Sequence, residues 1–141
     1  MKGQRGKKAK YVVYAKKGLL EENKWRRALK NLPTELVRRI RRELARRVPD
    51  LNEKFNLNSR YFGYWRGSDE DRLYIFIQKK RLCILVCISW DFEKQIREKG
   101  FEVRFINNFQ GRAGWLTGWY VPHDTKDMDT IMKYLCMAFK R

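Results

Sequence analysis

The stretch RYFGYWRGSDEDRLYIFIQKKRLCILVCIS, residues 60–89, decides the fold class. It holds three runs rich in aromatic and branched residues, split by the polar turn SDED and by a tight turn at Lys80-Arg81. The third run, LCILVCIS, is apolar at nearly every position, which predicts a central strand covered on both faces. In the first run, alternate residues face opposite sides. Tyr61, Gly63 and Trp65 share one face, and Phe62, Tyr64 and Arg66 share the other. One face must enter the core. Arg66 is costly to bury, so the expectation places Tyr64 and Arg66 on the open face.

Upstream, MKGQRGKKAK reads as a flexible basic arm and YVVYA as a short β-like run. LLEENKWRRALKN reads as a helix, with Glu21 and Glu22 early and Arg26 and Arg27 late, as the helix dipole prefers. A second helix runs from Pro33 to about Val48, with Pro49 as its stop. Leu36, Ile40, Leu44 and Val48 form its apolar stripe, and Arg38, Arg39, Arg42 and Arg46 fall on the opposite side. Downstream, FEKQIREK is a short helix capped by Asp91 and ended by Gly100. FEVRFIN and WLTGWYV are strands around the turn-rich loop NNFQGRAG. A last helix, capped by Asp124 or Thr125, carries the stripe Met128, Ile131, Met132, Leu135, Cys136 and Phe139. This order predicts an α+β fold: a single domain whose mostly antiparallel sheet of about five strands is covered by helices. Residues 1–33 are read as a basic N-terminal extension of arm and helix, and 34–141 as the α+β domain.

With 141 residues the chain is long enough for one domain with a real core. Its 33 Lys and Arg outnumber its 16 Asp and Glu, for a net charge of +17. The excess is one-sided: residues 1–48 hold 17 basic residues against 4 acidic, and the rest hold 16 against 12. Such a field attracts polyanions, and nucleic acid is the commonest of these. Cys83 and Cys87 sit roughly 13 Å apart along one strand, too far to bridge. Three cysteines without a loop framework predict free thiols in a reducing compartment. The polar start resembles no signal peptide, and no apolar run reaches membrane-spanning length, so the expected location is the cytoplasm.

No residue set announces an active site. His123 stands alone, without a second histidine or a finger-spaced Cys pair, and reads as a structural histidine rather than a zinc ligand. No catalytic residue, metal or cofactor is assigned. The candidates are instead groups that meet phosphates and bases. Lys7, Lys8 and Lys10 of the arm and Arg38, Arg39, Arg42 and Arg46 of the helix are expected to contact phosphates. Trp65, Arg66, Arg112 and Trp115 are expected to add stacking or groove contacts.

The order of elements over residues 34–107 resembles the restriction-endonuclease-like core. The charges do not follow that pattern: the third strand bears none, and Asp69 and Asp71 lie roughly 20 Å along the strand from Lys80. Three pieces together, YFGYWRG, FIQKKRLCILV and DMDTIMKYLCMAF, resemble a bacterial and archaeal domain family of unknown function. That family often lies C-terminal to restriction-endonuclease-like domains. The resemblance implies an α+β fold and a DNA-related setting, and no catalytic residues. The leading expectation is a non-enzymatic nucleic-acid-binding protein. An interaction module for an acidic partner in a restriction or defence system is the alternative, and a degenerate nuclease is third. DNA or RNA, single or double strand, and oligomeric state are left open by the sequence.

Overall fold

The meander at residues 60–89 forms the middle of a larger sheet. The computed structural model describes residues 11–104 and 115–140; the side chains of Trp90 and of residues 115–117 lie outside that description. Seven strands make one antiparallel sheet: β1 Val12–Ala15, β2 Leu51–Asn56, β3 Tyr61–Arg66, β4 Leu73–Ile77, β5 Arg81–Cys87, β6 Glu102–Val103 and β7 Trp115–Pro122. Their spatial order is β1-β2-β3-β4-β5-β7-β6. Three α-helices complete the α+β domain: α1 Glu35–Arg47, α2 Glu93–Glu98 and α3 Met128–Met137.

The sheet has seven strands rather than the expected five, and the two additions lie before the meander. β1 uses the YVVYA run and pairs with β2 from Val12↔Asn56 to Ala15↔Glu53. β2 gives no apolar alternation, because its inward positions are Leu51, Glu53 and Phe55. A carboxylate at the middle inward position hides the strand. The expected helix at residues 19–31 is instead two 3-10 turns, Glu22–Lys24 and Arg26–Leu29. Between them Trp25 leaves helical geometry, at φ −132° and ψ −17°, and enters the core with 1% of its surface exposed. The described part of the segment read as an arm and helix thus supplies an edge strand and core side chains.

α1 begins one residue after Thr34 and ends before Pro49, as its sequence requires. Leu36, Val37, Ile40 and Leu44 are buried. The cap of α3 is Asp127, not Asp124 or Thr125. Its carboxylate accepts the Thr130 N–H at 3.1 Å and the Thr130 hydroxyl at 2.6 Å. Those bonds hold the Asp127 carboxyl below its ordinary pKa. β5 is an interior strand as expected, but only one of its faces is covered: Leu82, Ile84 and Val86 are fully buried, while Cys83, Leu85 and Cys87 on the other face are half-buried because the helices pack on one side of the sheet. Gly118 permits a bulge in its β7 partner: the register shifts between Ile84 and Val86, and Gly118 takes φ +71°.

The helices and the 3-10 turns pack on one face of the sheet. The ring of Trp25 meets Phe62 edge-on at 5.4 Å, and Tyr134 of α3 meets Trp119 at 6.2 Å. A buried polar cluster ties this layer together. The Glu53 carboxylate accepts four hydrogen bonds: Leu20 N–H at 2.8 Å, Arg41 Nε at 2.8 Å, Arg41 Nη2 at 2.7 Å and Tyr64 O–H at 2.6 Å. The Arg41 guanidinium also lies 4.8 Å from the centres of both the Trp25 and Phe62 rings. Burial pulls the Arg41 pKa down, but the hydrogen bond and charge of Glu53 outweigh it and leave it raised. Burial, then the Glu53 charge, pushes the Tyr64 hydroxyl well above its ordinary value. No helix among the described residues is long and apolar enough to cross a membrane.

Candidate nucleic-acid interface

The arginines expected on the outer face of α1 do not act as one group. Arg38 is tied down: it pairs with Glu22, its Nε donates to Thr34 Oγ1 at 3.0 Å, and its guanidinium lies 5.1 Å from the Trp25 ring centre. Arg46 shares Glu43 with Arg47, at 2.7 Å and 3.0 Å. The Arg46 hydrogen bonds hold the Glu43 carboxyl below its ordinary pKa, and Glu43 raises that of Arg46. Arg39 and Arg42 are exposed and have no ion pair among the described residues. Alongside Arg38 a cleft of about 990 Å³ opens between the 3-10 turns and the start of α1. Arg26, Arg27, Lys30 and Arg38 line it, and Glu22 reaches Arg26 and Arg38 but not Arg27 or Lys30.

The other face of the sheet is set by alternation. Phe62 and Tyr64 point into the core, so Tyr61, Gly63 and Trp65 point away from the helices. The expected open face of RYFGYWRG is therefore reversed. Two polar atoms misled that assignment: the Tyr64 hydroxyl finds Glu53 inside the core, and Arg66, at the strand end, donates to the Phe139 carbonyl at 3.3 Å. Arg66 thus ties β3 to the end of α3.

The open face has two unlike ends. At one, Trp65 meets Tyr14 edge-on at 6.1 Å, in a groove also lined by Lys54, Asp69, Glu70 and Asp71. Lys54 crosses above Gly63 to reach Asp71 at 2.5 Å, and the Tyr74 hydroxyl donates to the same oxygen at 2.6 Å. A Cβ at Gly63 would lie 2.8 Å from Lys54 Cε. Glycine gives that lysine its path.

At the other end, the register aligns Tyr61, Phe76, Cys83 and Tyr120 in one row across β3, β4, β5 and β7. Tyr61 and Phe76 pack with centroids 4.8 Å apart and planes tilted by 43°, and the Arg81 guanidinium lies 3.8 Å from the Tyr120 ring centre. Arg60, Lys79 and Lys80 sit on the two hairpin turns that border this row, exposed and without ion pairs among the described residues. His123 acts as a strut: its Nε2 lies 2.7 Å from the Gln78 carbonyl and pins the β4–β5 hairpin to the end of β7. Burial raises the thiol pKa of Cys83 in the row and of Cys136 on α3.

Lys7, Lys8, Lys10 and Arg112 lie outside the described residues, as does the Trp115 side chain. Trp65 and the α1 arginines fall on opposite sides of the sheet, so they do not form one site. Asp69 and Asp71 lie at the start of β4 and Lys80 beyond its end, apart as the sequence suggested. Among the described residues, no group of three His, Cys, Asp or Glu is placed to hold a metal ion. The residues sequence reasoning passed over are Tyr61, Phe76 and Tyr120. Only strand register brings them together. No family model, curated protein or solved structure matches the chain, so its own surface chemistry is the guide to its function.

Proposed function

We propose that the protein binds nucleic acid through its phosphates, using the outer surface of α1 and the adjoining cleft. One observation carries this reading. Arg39, Arg42, Arg27 and Lys30 are exposed and make no ion pair among the described residues, in a chain whose net charge is +17. Unpaired surface guanidinium groups are well suited to phosphate oxygens, which they meet in a bidentate fashion. Each phosphate they neutralise releases counterions, which gives affinity with little sequence preference. Arg38 and Arg46 contribute less, because meeting a phosphate costs each an existing carboxylate contact.

The test is a titration of labelled DNA and RNA with the full chain across a range of salt. Affinity that falls linearly on a log–log plot of salt supports phosphate binding. Absence of binding at low salt, or affinity insensitive to salt, refutes it.

A further inference from the structure

We infer that, beyond the phosphate-binding arginine surface and given that nucleic-acid binding, the row Tyr61–Phe76–Cys83–Tyr120 on the open sheet face is a second site, which takes the unpaired bases of a single strand. Neighbouring strands lie roughly 4.8 Å apart, so the row spans roughly 14 Å from β3 to β7. Three aromatic rings stand on it, on the face away from the described helices. Aromatic rings on an open sheet stack bases whatever their identity, because every base has a π-face. In a duplex those faces are already stacked on one another, which restricts the row to unpaired bases.

Charge decides the occupant and its place. Arg60, Lys79 and Lys80 border the row on the hairpin turns, where the phosphates of a strand crossing the row pass. Arg81 stacks on Tyr120 and pairs with Glu102 of β6 at 3.5 Å, so it extends the platform as a plane while Arg60, Lys79 and Lys80 supply the charge. The far end of the same face carries Asp69, Glu70 and Asp71, and Asp71 occupies Lys54. A polyanion is drawn to the Tyr61 end and repelled from the Trp65 end. The site lies on the side of the sheet opposite α1, so the two surfaces are separable by mutation.

The experiment uses the full chain, a labelled oligothymidine and a labelled hairpin duplex. Tyr61→Leu/Phe76→Leu keeps apolar bulk and removes two π-faces. It is expected to weaken oligothymidine binding about tenfold or more and to leave duplex binding within about twofold of wild type. Tyr14→Ser, on the same face but at the acidic end, is expected to change neither. A second readout needs no variant. Bound oligothymidine should slow alkylation of Cys83 by N-ethylmaleimide, followed by peptide mass, and leave that of Cys136 on α3 unchanged. If the double variant fails to fold, this protection decides the matter. Unprotected Cys83 at saturating oligothymidine overturns the sheet site while leaving the arginine surface standing, because the strand is then bound elsewhere. A wild-type chain that binds neither nucleic acid ends both readings together.

Discussion

Arg41 Nη2 and Glu53 Oε1 lie 2.7 Å apart inside the core, with the arginine side chain 7% exposed and the glutamate not at all. The pair joins α1 to β2, and through Leu20 and Tyr64 it also holds the segment before α1 and the middle of β3. Removing one partner strands a buried charge, which costs about 3–5 kcal/mol. Glu53→Ala and Arg41→Ala are each expected to lose stability on that scale in urea denaturation. The double variant should lose clearly less than the sum of the two, since neither leaves a charge unmatched in it.

Tyr64 separates a structural aromatic from a binding one. Tyr64→Phe removes a hydrogen bond to a charged acceptor, a change worth about 1.5–3 kcal/mol. Denaturation should register that loss, while affinity for nucleic acid stays unchanged. The hydroxyl also carries a pH signature. Its folded pKa lies above the ordinary 10.0, so its stabilisation is intact below that value and is lost as pH rises past it. Wild type should therefore lose stability more steeply than Tyr64→Phe above that pH.

The cap of α3 titrates in the opposite sense. Thr130 hydrogen bonds hold the Asp127 pKa below its ordinary 3.8. Its stabilisation is present above that value and is lost as pH falls through the lowered one. Asp127→Ala should lower the melting temperature at neutral pH, and the gap to wild type should close in acid.

Gly118 is a backbone position with little room to change. Its φ of +71° is one that L side chains rarely adopt, and a Cβ there would meet Arg104 Cβ at 3.0 Å. Gly118→Ala is expected to cost about 1–2 kcal/mol. The damage should concentrate at β6, which among the described residues pairs only with β7, and hydrogen exchange of the Arg104 amide, bonded to the Gly118 carbonyl at 3.1 Å, would report it.

The elements legible in the sequence are those whose apolar periodicity meets an apolar core. The stripes of α1 and α3 land where periodicity places them, and the apolar run of β5 marks an interior strand, though its Cys83–Leu85–Cys87 face is left half-buried. β2 was illegible because its central inward residue is Glu53, acceptable there only with partners that come from elsewhere in the chain. The face of β3 was misassigned for the same reason: Tyr64 is buried through its hydroxyl, not despite it. At the surface, helical spacing identifies the outward arginines of α1. It does not reveal that Glu22, sixteen residues before Arg38, occupies one of them. The row of Tyr61, Phe76 and Tyr120 depends on the register of four strands, which no local pattern encodes.

The central claim rests on Arg39 and Arg42, and replacing both with alanine tests it most directly. The measurement is fluorescence anisotropy of labelled nucleic acid, compared between wild type and Arg39→Ala/Arg42→Ala over a salt series, with thermal melting as the control for folding. If both arginines neutralise phosphates, affinity falls and the log–log salt slope becomes shallower by about 1.4–1.8, with melting unchanged. An unchanged affinity and slope in a folded variant would contradict the claim and remove α1 from the interface.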